Sequence, residues 1–279
     1  MSYKSIIVHL DTGERTHRRL AVAVSMAGQF GAHLTGVFSI DSPDPKSSAQ
    51  TVAAGQYHSD RKNRRIQRRA SLEQLFRTEL QRCEVSGSWL VADESANLAV
   101  PRMGRYADLI IAGQEDVEDP DSYIANNFQE NLIMSAGCPV LLMPHVDLTP
   151  SVATHVMVAW DSSREAARAV HDALPFMRKA KNTTVVTIKP MKDQSAGNGH
   201  LRPDIAVVIA RHGIEVRAVE IEADEDVSVG DTLLSHALDM GADLVVMGAY
   251  AHSRWQELVV GSTTRTILQS MAVPLLMSH

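Results

Sequence analysis

The chain is poor in the features that would commit it to several large protein classes. It holds two cysteines, Cys83 and Cys138, in no C-x-x-C or metal-ligand spacing. That rules out a disulfide framework and fits a reducing compartment, so a cytoplasmic location is expected. No stretch approaches the roughly 18–20 consecutive apolar residues of a membrane helix. The opening apolar run, SIIVHL, meets Asp11 at once and is too short for a signal sequence. Neither sign of charge dominates. A formal net charge of −6 over 279 residues excludes a molecule-wide field for polyanions, so nucleic-acid binding is not expected without a local basic patch. The phosphate loop G-x4-G-K-[ST] is missing, and so is S-G-G-x-D-S. The 12 histidines include no H-x-x-x-H pair, and no metal site is assigned.

What the chain does have is an internal repeat. SIIVHLD, ending at Asp11, resembles HVMVAWD, ending at Asp161. ADLIIAG, ending at Gly113, resembles ADLVVMG, ending at Gly248, and CPVLLM from Cys138 resembles VPLLM from Val273. The order is kept, and the last two pairs share one offset of 135 residues. Two tandem domains follow, residues 1–146 and 152–279, joined by the proline-bracketed stretch PHVDLTPSVAT. Each half alternates short β-branched runs with segments of helical period. The strands are expected at 5–10, 34–40, 88–92, 107–112 and 139–143, then at 154–160, 183–188, 214–221, 242–247 and 274–277. Helices are expected at 15–30 and 60–81, then at 163–180, 200–212, 228–240 and 261–271. This is the grammar of an α/β fold: two doubly wound, five-stranded parallel sheets, Rossmann-like or flavodoxin-like, in the order 3-2-1-4-5.

Such sheets bind ligands at the carboxyl ends of their strands, where the strand order reverses. In the second half those ends carry Asp161 and Gly248. Gly248 allows a sharp turn or a close approach by a ligand. Gly261, Ser262 and Thr263 open a helix, whose unpaired N–H groups and positive dipole end attract an anion. Ser262 or Thr263 as a plain N-cap is the simpler alternative; position at the switch point and the nearby Asp161 favour the anion reading.

With these residues in place, the chain resembles a tandem member of the universal stress protein family. Its nucleotide-binding members carry G-x2-G-x9-G-[ST] after strand 4, matched here by Gly248, Ala251 and Gly261-Ser262, with Ala251 where the pattern has glycine. The family's aspartate at the end of strand 1 is matched by Asp161. The resemblance implies an adenine nucleotide, ATP or AMP, with Mg²⁺ as a companion to the phosphates, bound in the second half as a sensor or switch. Asp161 would hold the nucleoside, Gly248 would admit the inner phosphates, and Gly261, Ser262 and Thr263 would ligate the rest. Ile188 and Met247 would wall the adenine, and Trp160 stands beside them with core packing as its other role. No catalytic residue is assigned, and at most weak ATP hydrolysis is expected. The resemblance also implies a pseudo-dimer of the two halves through their last strands, further homodimerisation, and a downstream protein partner.

The first half keeps Asp11 and Gly113 but aligns Asp116, Asn126, Asn127 and Phe128 with Ala251, Gly261, Ser262 and Thr263. Its loop QEDVEDPDSYIA holds five carboxylates, which repel phosphate, so no nucleotide is expected there. RKNRRIQRR puts six cations into nine residues on a helix whose Ile66, Leu72, Leu75, Phe76 and Leu80 are expected to face inward. It reads as a solvated helix face or as a surface for an acidic partner. The stretch before it, residues 41–56, is expected to be a loop. His252 and Trp255 lie in the loop beside the proposed site. The competing reading is an interaction protein without nucleotide, or a binder of an apolar molecule through the first half.

Overall fold

A computed structural model of the chain describes residues 2–41, 52–115, 127–146, 152–189, 204–222, 227–250 and 262–279. They form two compact units, Ser2–Pro150 and Ser151–His279. The first contains β1 (Ser5–Leu10), α1 (Thr16–Phe30), β2 (His33–Asp41), α2 (Val52–Arg82), β3 (Gly87–Ser95), α3 (Ala96–Gly104), β4 (Leu109–Gly113), α4 (Phe128–Ser135) and β5 (Val140–Met143). The second contains β6 (His155–Ala159), α5 (Arg164–Met177), β7 (Asn182–Lys189), α6 (Ile205–Ala210), β8 (Arg217–Glu222), α7 (Val229–Asp239), β9 (Leu244–Gly248), α8 (Ser262–Ser270) and β10 (Leu275–Ser278).

The strands of the first unit run β3-β2-β1-β4-β5 and those of the second β8-β7-β6-β9-β10, so each is ordered 3-2-1-4-5 as expected. The pairing is parallel throughout these neighbours, with Ile6 opposite both Leu34 and Leu109, and Val158 opposite Val246. Helices cover both faces of such a sheet, which is why its inner strands are apolar runs and not alternating ones. Leu109, Ile110, Ile111, Val140, Leu141 and Leu142 are all 0% exposed.

Helix α1 ends at Gly31, whose φ of 60° lets Ala32 N–H reach back to the Ala27 carbonyl at 2.9 Å, closing the helix with a left-handed cap. Helix α3 contains Pro101, which cannot donate to the carbonyl of Asn97. The Asn131 amide on α4 supplies the missing donor at 2.8 Å, so a residue that breaks most helices is tolerated inside a short one. Neither α3 nor α4 was anticipated from period alone.

Two expectations about the basic helix change. Helix α2 already begins at Val52, so the last part of the expected loop is helical; residues 42–51 lie outside the described residues. Ile66 is 43% exposed, whereas Leu72, Phe76 and Leu80 are buried. The helical period is consistent with this: at 100° per residue, Ile66 lies roughly 80° from the centre of the face those three define, on its flank. Phe76 is 1% exposed and packs at 5.5 Å, centroid to centroid, against Trp89 of β3. Phe76→Ala is therefore expected to destabilise the first unit by about 3–5 kcal/mol. Ile66→Ala should change its stability by less than about 1 kcal/mol, with urea denaturation of the two variants as the measurement.

Candidate functional site

In the second unit the strand order reverses between β6 and β9. Continuing the register Val158 to Val246 brings the residues that follow β6, Trp160 and Asp161, beside Gly248 and Ala249. Trp160 N–H also bonds the Val186 carbonyl at 2.8 Å, which places Ile188 on the same edge of the sheet. Asp161 is exposed, and its Oδ1 accepts the Ser163 N–H at 2.9 Å. That bond orients the carboxylate. Among the described residues no basic side chain pairs with it, and Oδ2 is left for another donor. Met247 is 6% exposed, while Trp160 and Ile188 are half-buried.

The chain leaves both strand ends in an unusual conformation. Ser162 and Tyr250 have φ of 65° and 54°, the left-handed region that non-glycine residues avoid. The turn at Ser162 lets Ser163 cap α5, its hydroxyl accepting Ala166 N–H at 3.0 Å. Gly248 has a packing role that the sequence reading did not assign. A Cβ there would lie 2.4 Å from Ala166 N and 2.8 Å from Glu165 Cβ, so the bare backbone lets the first turn of α5 press against the end of β9. Glu165 itself is 3% exposed. Burial works against its charge, but the hydrogen bond from Arg164 and the nearby charges hold its carboxyl below the usual range.

Helix α8 begins at Ser262, so Ser262 and Thr263 do stand at a helix mouth; their side chains, and Ala251, His252, Trp255 and Gly261, lie outside the described residues. Thr264 is buried, and its hydroxyl accepts Tyr250 N–H at 3.5 Å, joining the turn after β9 to that helix.

The first unit begins with the same turn and finishes it differently. Asp11 Oδ1 accepts Gly13 N–H at 2.9 Å, as Asp161 does with Ser163. Its Oδ2, however, is taken by Arg19, at 2.5 Å. The guanidinium also donates to the His9 carbonyl at 2.8 Å and to the Thr16 hydroxyl at 2.8 Å. Asp11 and Arg19 are 7% and 5% exposed. Burial raises the cost of the charge on Asp11; Arg19, His9, Gly13 and Thr16 outweigh it and hold the carboxyl below its ordinary range. A Cβ on Gly113 would fall 2.0 Å from Arg19 Nη1, so the guanidinium lies across the very end of β4.

Around it, Gln129 Nε2 donates to the Gly113 carbonyl at 3.2 Å, and buried Phe128 packs on His9 with ring centroids 5.2 Å apart. Burial, together with the neighbouring Glu130, pushes the Glu115 carboxyl up. Beside the turn lies a cavity of about 290 Å³ lined by residues that include Glu14, His17 and Arg68. Among the described residues no three His, Cys, Asp or Glu side chains are grouped to hold a metal ion.

The profile of the universal stress protein family matches residues 2–144 and 153–279. The chain belongs to the universal stress protein family. Universal stress protein Slr1230 from Synechocystis is 27% identical over 177 residues, a match that takes in 61% of this chain and 57% of that protein. The chain thus spans less than two thirds of that relative's length. A universal stress protein from Archaeoglobus fulgidus overlays 98% of this chain and 95% of its own with a TM-score of 0.68 at 15% identity. One from Pseudomonas aeruginosa overlays 99% and 93% with a TM-score of 0.63 at 18% identity. These two likenesses establish the fold.

Within this universal stress fold, the residues missed from sequence are Arg19, Thr16, Ser163 and Glu165. Arg19 carried a legible signal. It is a charge on the inward stripe of α1, in step with buried Ala23, Met26, Ala27 and Phe30. Ser163 before a periodic run was likewise a readable cap.

Two outcomes follow from this geometry. Asp11→Asn leaves Arg19 buried without its counter-charge and should destabilise the first domain by about 3–5 kcal/mol at neutral pH. Because the folded carboxyl titrates below its unfolded value of about 3.9, the parent keeps this advantage above pH ~4 and loses it as pH falls through the folded value. Urea midpoints of the two proteins should therefore converge in acid. Ser162→Gly should raise the stability of the second domain by about 1 kcal/mol by removing left-handed strain, again read from denaturation midpoints.

Proposed function

We propose that the second universal stress domain binds an adenine nucleotide, ATP or AMP, and that the protein acts as a nucleotide-responsive sensor or switch. The observation that carries this reading is Asp161: an exposed carboxylate at the point of strand reversal, with one oxygen fixed by a backbone N–H and the other uncommitted. An acceptor so held fits the hydroxyl and amine donors of a nucleoside. The start of α8 directly after Gly261 supports the assignment of Gly261, Ser262 and Thr263 to the phosphates, since the first N–H groups of a helix are available to an anion. Half-buried Trp160 and Ile188 and buried Met247 are apolar groups at this edge of the sheet. Mg²⁺ enters this reading only as the companion of a triphosphate.

The test is calorimetric titration of the full chain with adenosine, AMP and ATP, preceded by mass spectrometry of whatever the purified protein releases on denaturation. Asp161→Ala is expected to weaken all three ligands alike, by roughly 10- to 100-fold, the range for a lost hydrogen bond to a charged group. Loss of ATP binding alone would move Asp161 from the nucleoside to the phosphates. A parent protein that binds none of the three would end the nucleotide reading.

A further inference from the structure

The two domains share one carboxylate turn and differ in what answers it. Placing Asp11 on Asp161 places Thr16 on Ala166 and Arg19 on Ala169, which is 1% exposed. The Asx-type bond is the same in both, at 2.9 Å. In the second domain nothing on α5 reaches back to the carboxylate among the described residues. In the first, Arg19 does so, and its guanidinium spans the ends of β1 and β4, the place where a doubly wound sheet takes its ligand.

We propose that Arg19 determines which of the two domains is open to ligand: its guanidinium occupies the first crevice as an internal substitute for a bound molecule's donors, and Ala169 leaves the second crevice free. This rests on the nucleotide reading given above and names the residue that makes it one-sided.

Three features support a role beyond bracing. A buried ion pair is weak evidence for stability, since apolar residues of similar volume often serve as well or better; the same position in the second domain is alanine. The donors of Arg19 go to groups a ligand would otherwise use, namely the Asp11 carboxylate, the Thr16 hydroxyl and the His9 carbonyl. The bare Cα of Gly113 is matched to the guanidinium, because any side chain there would collide with it.

The experiment uses the full chain and three forms of it: the parent, Arg19→Ala, and the charge-balanced double variant Arg19→Ala/Asp11→Asn, which removes the unpaired carboxylate in case the single variant does not fold. Adenosine is the nucleoside probe, because Glu115 and Glu130 stand near this mouth and would repel phosphates. Methylguanidinium is the second probe, read by thermal shift. The parent should bind one adenosine per chain and no methylguanidinium. Arg19→Ala should bind a second adenosine and also gain thermal stability from methylguanidinium, which should compete with that second adenosine. The double variant should bind the second adenosine roughly 10- to 100-fold more weakly than Arg19→Ala does, because an amide replaces the accepting carboxylate, and should lose the methylguanidinium effect, since the cation's counter-charge is gone.

If folded Arg19→Ala keeps the parent's single adenosine, or if, where only the double variant folds, that variant shows no second adenosine at concentrations roughly 100-fold above the parent's Kd, the proposal is overturned, and Arg19 is a brace only. If no form binds adenosine, the nucleotide reading fails by itself; methylguanidinium stabilising Arg19→Ala but not the parent would then still support Arg19 as the occupant of the crevice, and no stabilisation would overturn it.

Discussion

A parallel sheet whose order reverses between two neighbouring strands leaves a place that neither crossover covers. The helix after the first strand departs to one side and the helix after the fourth to the other, so the two carboxyl ends face solvent with their backbone groups uncommitted. In each domain of this chain that place lies between a strand with an aspartate just beyond its end and a strand ending in glycine. Polar groups at such an opening need partners, and the identity of those partners separates the two domains.

In the first domain the partner comes from within. Asp11 and Arg19 are withdrawn from water together, and the remaining acceptors around the guanidinium are the His9 carbonyl and the Thr16 hydroxyl. A carboxylate in a poorly solvated setting needs a cation or several hydrogen-bond donors, and here it has the Arg19 cation, the Gly13 N–H and the Thr16 hydroxyl. The domain's opening is closed further by Phe128 and Gln129 at the start of α4. In the second domain the corresponding carboxylate stays in water, where its charge is hydrated and requires no internal counter-ion.

Left-handed backbone occurs at both openings, in the first domain at Asn127, with φ of 58° at the start of α4. The second domain places Ser162 and Tyr250 in left-handed turns on either side of its opening, against the local preference of both residues. Strain of that kind persists only where surrounding contacts over-determine it. Here the Ser163 cap, the Trp160 bond to Val186 and the Thr264 bond to Tyr250 do so. The two strand-end glycines also differ in cause: Gly248 admits the backbone of α5, and Gly113 admits a side chain. A shared glycine in the repeat therefore does not mean a shared environment.

Much of this was legible along the chain. The repeat, the alternation of strand and helix periods, the strand order and the aspartate–glycine pair are local or nearly local patterns, set by side-chain period and by what a chain can do at a strand end. Ile66, α3 and the start of α2 were misread or missed because a few apolar residues do not specify a helical face or an end without the sheet they pack on. The fate of the two aspartates could not be read from their motifs, which are alike. Arg19 lies eight residues after Asp11, and whether it meets that carboxylate or points into water depends on the angle at which α1 crosses β4 and on the absence of a side chain at Gly113. The sequence by itself determined two copies of one fold, each with an aspartate and a glycine at the point of strand reversal; only the tertiary structure decided that in the first copy this point is filled by the protein's own guanidinium, because a buried charge is settled by distance and solvent exclusion, which no local pattern encodes.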